Sequence, residues 1–285
     1  MPTSRTRPLL LLLTAAALIV ALVVAVGLAR GDEPDGAPAA APSVSVPVTP
    51  GSPAATVAAA ATPPDGLPVI AYAKGPRGLP ADPDPGSVSA LTEALRPAQR
   101  MALYDAPGGR PRAWLPPRIS GLPVVAPIVA RQNGWAAVLV PAANRTVGWV
   151  PEAGWRAEPL RDQLLVDLAD RRLIWLREGA VKARWTVAIG ADATPTPHGR
   201  TFVMGRTGTS GGVFAGLDAL VLGSVPEEPE KLAAGLRGAH TGIHAWTNRS
   251  AFGKEVSNGC VRTPAAAQRE LLDQVDPGTP VIVTA

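Results

Sequence analysis

The residues best suited to covalent chemistry are a histidine and a cysteine sixteen positions apart, His244 and Cys260, in the stretch GIHAWTNRSAFGKEVSNGCVR (242–262). Cys260 is the only cysteine of the chain and His244 one of three histidines. A thiol of ordinary pKa is only about 3% thiolate at neutral pH, so use as a nucleophile needs a base or a pKa-lowering environment. His244 ends a short apolar run and can serve as that base. Gly259 has no side chain, which lets a carbonyl approach the backbone closely. The N–H groups of Gly259 and Cys260 are then candidate oxyanion donors. Asn258-Gly259 also reads as a plain turn, and both uses are compatible. Ser257 either orients the base or closes the turn. Arg262 either ties the loop to nearby carbonyls or a carboxylate, or meets a substrate carboxylate through its fork. His240, Trp246 and Asn258 are candidate substrate contacts, whereas His198, after a Pro-Thr-Pro run, reads as exposed. The competing reading of Cys260 is a buried small apolar residue. The histidines and the cysteine are not spaced as a zinc site, so neither metal nor cofactor is expected.

The elements around these residues are mainly strands. From Arg161 onward, DQLLVDLADRRLIWLREGAVKARWTVAIG holds three runs rich in Val, Ile, Leu and Trp. GRTFVMGR is a further run, and TPVIVTA closes the chain as a last strand. TPAAAQRELLDQV predicts one helix, capped by Thr263, with Pro264 at its first position and Leu271, Leu272 and Val275 on its apolar face. That helix begins just after Cys260, where its positive end favours a nearby anion. Between Val213 and Ala239 the pattern is ambiguous, with a short helix expected in PEEPEKLAAGLRG inside a long loop.

Upstream, residues 100–158 predict a small all-β unit. Asn133-Gly134 marks a tight hairpin, with NGWAAVLVP and VGWVP as strands around it. Trp135, Trp149 and Trp155 read as core or as a ligand shelf. Residues 67–99 carry weak signals: a short strand in VIAYA, and a helix in SVSALTEAL capped by Ser87 or Ser89.

The first 66 residues concern location. MPTSRTRP carries two arginines, and Leu9 to Ala29 is uncharged. About 20 apolar residues in a helix span about 30 Å, a hydrocarbon core. Residues 1–30 therefore predict a membrane anchor with the remainder outside, or a cleaved signal peptide; both export the chain. Residues 31–66 are Ala/Pro-rich with no periodicity and read as a disordered tether. Net charge is +4 with no clustered basic run, which suits an anionic wall or lipid surface and excludes nucleic acid as the natural partner. An unpaired cysteine is unusual outside the cytoplasm, which favours a nucleophile.

Taken together, the motifs from Arg161 to Ala285 resemble the L,D-transpeptidases of the YkuD family. Ile243-His244 resembles the strand that carries the family histidine, and Ser257-Asn258-Gly259-Cys260-Val261-Arg262 the S-x-G-C-hydrophobic-R segment. Pro195-Thr196-Pro197 with Gly199 resembles the P-T-P-x-G turn, and DPGTPVIV the closing strand. Two positions depart from the pattern: Ala245 stands where the family has glycine, and Asn258 where many members have histidine. Residues 100–158 similarly resemble a bacterial SH3-like barrel. The implied architecture is mainly β: a membrane-anchored protein with an SH3-like unit followed by a YkuD-type β-sandwich over residues 161–285.

The resemblance implies that Cys260 attacks a peptidoglycan stem peptide and forms a thioester. The amine of a second stem then resolves it into a 3–3 cross-link, with His244 handling the protons. It also implies carbapenem-type β-lactams as inhibitors. Transfer of the acyl group to water or to a protein amine, and a non-catalytic wall-binding role, are the competing expectations.

Overall fold

The computed structural model describes residues 59–285; the expected membrane segment and most of the expected tether lie outside the described residues. Among the described residues no helix is long and apolar enough to cross a membrane.

Nine strands precede residue 160: β1 (Glu93–Pro97), β2 (Met101–Tyr104), β3 (Pro111–Leu115), β4 (Arg118–Ile119), β5 (Leu122–Pro123), β6 (Ala126–Gln132), β7 (Trp135–Leu139), β8 (Val147–Pro151) and β9 (Trp155–Pro159). Seven of them form one antiparallel sheet in the order β3-β2-β8-β7-β6-β1-β9, and β4 and β5 make a separate ribbon. The sheet begins earlier than expected. The end of the SVSALTEAL run read as a helix, from Glu93, instead opens strand β1, which is paired along its full length with β9. A nine-residue run is too short to be stable as an isolated helix, so an available strand partner overrides its propensity. Trp135 is buried in a cluster with Tyr104, whose ring meets it edge-on at 5.0 Å. Trp149 and Trp155 are half-buried against the same body.

The second half contains β10 (Asp162–Asp167), β11 (Arg172–Arg177), β12 (Ala180–Thr186), β13 (Ile189–Gly190), β14 (Gly199–Thr207), β15 (Ala219–Leu222), β16 (Gly242–Ala245), β17 (Glu255–Ser257), β18 (Val261–Thr263), α1 (Ala265–Gln274) and β19 (Pro280–Thr284). Eight of these strands form a mixed sheet in the order β12-β11-β10-β19-β14-β15-β16-β18, and β13 pairs with β17. The expected strands are present, including the closing one. In place of the short helix expected in PEEPEKLAAGLRG there are two 3-10 turns, Pro229–Lys231 and Ala234–Leu236. The α1 helix starts one residue later than expected: Pro264 is its N-cap, and Thr263 belongs to β18. Thr263 therefore does not cap the helix, and its hydroxyl lies against the carbonyl of His244 (3.2 Å) and Gln268 Oε1 (3.0 Å).

The two sheets share one core. Phe202, Met204 and Val221 of the second sheet pack with Leu95, Leu103, Leu115, Val138 and Val150 of the first. Hydrogen bonds cross the junction from Ala142 N to Gly223 O (2.7 Å) and from Asn144 Nδ2 to Val225 O (2.7 Å). The segment before β1 is wedged at this junction. Asp82 is buried in a bidentate ion pair with Arg200 of β14. Removing one member of a buried pair strands the other charge in a low-dielectric site, at a cost of about 3–5 kcal/mol. Asp82→Ala is therefore expected to lower unfolding free energy by about that amount in urea titration. A change under about 1 kcal/mol would show the pair to be dispensable.

Candidate active site

His244 lies on β16, and Cys260 immediately precedes β18, the parallel neighbour of that strand. β16 runs beside β18 with Ile243 opposite Val261, His244 opposite Arg262 and Ala245 opposite Thr263. The Arg262 charge bears on both His244 and Cys260. β18 is locked from its other side by paired hydrogen bonds between Ala188 and Arg262, at 2.8 and 3.0 Å.

His244 is buried, and its Nδ1 lies 2.9 Å from the carbonyl oxygen of Ala245. A carbonyl only accepts, so Nδ1 carries the proton and Nε2 is left as the basic atom. Phe214 meets the imidazole at 5.0 Å between ring centroids, and Trp246 at 5.8 Å. Burial lowers the histidine's pKa, the Ala245 carbonyl opposes this, and the nearby Arg262 charge lowers it further. Cys260 is partly exposed at the surface, yet closely surrounded by protein. Desolvation raises its pKa, against the Gly242 backbone and the Arg262 charge, which lower it. The resting state at neutral pH is consequently a neutral thiol and a neutral imidazole.

Helix α1 contributes little to the sulfur. The three residues of β18 separate the two, about 10 Å of extended chain, and the field of a helix end falls off within its terminal turn.

The loop before Cys260 is rigid for reasons visible in its hydrogen bonds. Ser257 Oγ donates to the Cys260 carbonyl at 2.5 Å and accepts the Gly259 N–H at 3.2 Å. Ser257 thus closes the turn and makes no contact with His244. Gly259 adopts φ +99°, a left-handed conformation, and a Cβ there would come within 3.2 Å of the Pro195 carbonyl. The Pro195-Thr196-Pro197 turn is the loop's backstop: Thr194 Oγ1 and the Ala191 N–H both donate to the Ser257 carbonyl, each at 3.0 Å.

Arg262 stacks its guanidinium 3.8 Å over the Trp246 ring and donates from Nη1 to the Val256 carbonyl at 3.1 Å. Its Nε is buried without a hydrogen-bond partner among the described residues. Asn258 is exposed at the tip of the turn. His240 lies just before β16, buried, with Nδ1 at 2.5 Å from the Leu222 carbonyl and Nε2 against the Tyr72 carbonyl. Two acceptors face a ring that carries one N–H when neutral. Burial lowers its pKa, and the two carbonyls oppose that. His198 is exposed.

Two neighbours of the site had no signal in the sequence. Phe214 lies in the ambiguous loop after β14. Tyr72 precedes the first sheet by twenty residues and packs its ring on His240 at 4.3 Å.

Residues 161–283 match the model of the L,D-transpeptidase catalytic domain, YkuD. The YkuD protein of Bacillus licheniformis is 31% identical over 123 residues, covering 43% of this chain and 65% of its own length. The matched region therefore spans just under two thirds of that relative. Among solved structures, the catalytic domain of the E. faecium L,D-transpeptidase acylated by ertapenem is 24% identical. It covers 44% of this chain and 98% of its own, with a TM-score of 0.31. An L,D-transpeptidase from Mycobacterium smegmatis is 13% identical, covering 69% of this chain and 100% of its own, with a TM-score of 0.39.

The pKa directions fix an expected pH profile. His244 titrates below the usual histidine value near 6.5 and Cys260 above the usual thiol value. Acylation of Cys260 should be level through neutral pH and fall on the acid side with a midpoint below about 6.5, as Nε2 takes up a proton. Alkylation by iodoacetamide should instead climb into the alkaline range. An alkylation plateau between about pH 5 and 7 would reveal a preformed thiolate–imidazolium pair and overturn this assignment.

Proposed function

We propose that this protein is an exported peptidoglycan L,D-transpeptidase that works through a Cys260 thioester. The observation that carries the reading is the pairing of β16 with β18, which puts His244 opposite Arg262 and runs the chain just after Cys260 beside β16, within a domain matched by the transpeptidase model.

In this reading His244 Nε2 removes the thiol proton as sulfur attacks the acyl carbon of the diamino acid in a donor stem. The terminal D-amino acid leaves with that proton, and the thioester remains. The side-chain amine of a second stem then attacks the thioester carbon and loses its proton to His244; the C–S bond breaks, His244 returns that proton to the sulfur, and a 3–3 cross-link results. A neutral resting pair suits this order, because general-base removal accompanies attack and no thiolate need be stored in a desolvated site. Arg262, with one buried N–H unsatisfied, fits contact with a carboxylate of the stem. Trp246, held flat under Arg262, keeps that guanidinium in place.

The seven-stranded unit fits an SH3-like module that props the catalytic sheet, given the core the two share. The apolar run Leu9–Ala29 supports membrane attachment, with the catalytic domain facing the wall. Transfer of the same thioester to water or to a protein amine differs only in the acceptor.

Exposure of the full chain to meropenem, followed by intact-mass measurement, tests the reading. One covalent adduct is expected on the native protein, none on Cys260→Ala, and at least about a hundredfold slower acylation on His244→Ala. Failure of the native protein to form an adduct would favour a non-catalytic wall-binding protein. Muropeptide analysis of cross-linked product identifies the acceptor.

A further inference from the structure

The imidazole of His244 is one of three rings that each touch the other two. Phe214 meets it edge-on at 5.0 Å between centroids and 64° between planes, and Trp246 at 5.8 Å and 61°. Phe214 meets Trp246 at 5.9 Å and 84°. Edge-to-face contacts at such separations are attractive and set the ring planes against one another. The hydrogen bond that fixes the imidazole's tautomer goes to the carbonyl of the very next residue, Ala245. A bond so local leaves much of the hold on the ring plane to the two neighbouring rings.

Those two rings arrive by different routes. Trp246 directly follows β16, with its N–H on the Thr263 carbonyl at 2.9 Å and its indole against the Arg262 guanidinium. Phe214 comes from the loop between β14 and β15. One hydrogen bond joins the two: the N–H of Thr247, next to Trp246, donates to the carbonyl of Val213, next to Phe214, at 2.9 Å. The loop is shaped around this delivery. Gly212–Phe214 forms a 3-10 turn, flanked by Gly211 at φ +99° and Ala215 at φ +56°. A left-handed alanine persists only where its surroundings enforce it. Thr209 Oγ1 closes the loop by donating to the Leu217 carbonyl at 2.7 Å. Val213 is exposed, whereas Phe214 is half-buried and, among the described residues, belongs to neither large hydrophobic core. Core packing therefore does not account for its inward turn.

We propose that Phe214 is a positioning residue for the general base: seated edge-on, it holds the His244 imidazole in one plane and keeps water from it. The inference deepens the proposed reaction and rests on it for the role of His244 as base. The lowered pKa of His244, whose largest cause is burial, agrees with it. Taking the Phe214 ring away admits water, favours the imidazolium and raises that pKa toward the usual value near 6.5. The other groups that bear on the imidazole are kept in Phe214 variants. Arg262 lies opposite it across the β16–β18 ladder, and the Cys260 thiol just precedes β18. On the other side of β16, β15 has no titratable side chain, Asp218 before it is exposed, and α1 presents the uncharged Gln268 to the Ile243 carbonyl.

The full chain is to be compared with Phe214→Ala and Phe214→Tyr in p-nitrophenyl acetate acylation across pH, corrected with Cys260→Ala, and in iodoacetamide alkylation. The His244 ring titration is to be followed by NMR, with His244→Ala for assignment. For Phe214→Ala the expected result is about a tenfold loss of acylation at neutral pH, with alkylation unchanged within about twofold. Its acid limb and the His244 midpoint should both move to higher pH, toward about 6.5. Phe214→Tyr keeps a ring and should keep the native profile. Equal losses in both reactions with an unmoved His244 midpoint would make Phe214 a structural support only. Faster acylation and alkylation together would show a cover over the thiol and overturn the proposal, as would a tyrosine variant no better than alanine. The His244 titration reads the ring's surroundings whether or not meropenem acylates the native protein, so failure of the transpeptidase reading and failure of the Phe214 role give different results.

Discussion

The parallel register between β16 and β18 is the constraint on which the site depends. A shift of one residue would turn His244 to the opposite face from Arg262, because side chains alternate along a strand. The register is held by more than the ladder. Gln268 of α1 is fully buried and donates to the carbonyls of Ile243 (3.1 Å) and Asp218 (2.9 Å), while accepting from Thr263. Thr263 in turn lies against the His244 carbonyl. A helix, two strands and the loop before β15 are therefore joined by one satisfied polar network at the backbone of His244. Such a network is costly when incomplete, which makes the alternative registers unfavourable.

The same economy of freedom governs the Cys260 turn. Its serine is spent on the turn's own backbone, and its glycine is required by a left-handed φ and by the proline carbonyl beside it. The three features most easily taken for chemistry (serine, glycine and the Pro-Thr-Pro turn) act chiefly as geometry. They fix the position of Cys260 in the chain.

Much of this was legible in the chain. The strands from Asp162 to Gly190, the closing strand and α1 follow from runs of β-branched residues and an amphipathic stretch. The His–Cys pair follows from composition and spacing. What stayed hidden is non-local. Strand β1 exists because β9 and β6 flank it, and its own residues carry no strand signal. The Asp82–Arg200 pair joins positions 118 residues apart, and Tyr72 and Phe214 reach the site by tertiary packing alone. The setting of His240 was equally hidden: the chain enters β16 only at Gly242, and the ring lies between two carbonyls.

The shared core changes what the first β unit can do. A module that bound glycan on a flexible hinge would need an interface that opens, and inter-domain surfaces of that kind are small and polar. Here Phe202 and Met204 of the central catalytic strand β14 are packed among the side chains of the seven-stranded sheet. Separation would expose large apolar side chains, at about 1.5–3 kcal/mol each. The segment that delivers Tyr72 is threaded through the same junction, pinned by Asp82, Gly75 and Ile70. The two sheets and that segment therefore hold the thiol's surroundings as one body, and whatever the first sheet contacts is held at a fixed orientation to Cys260.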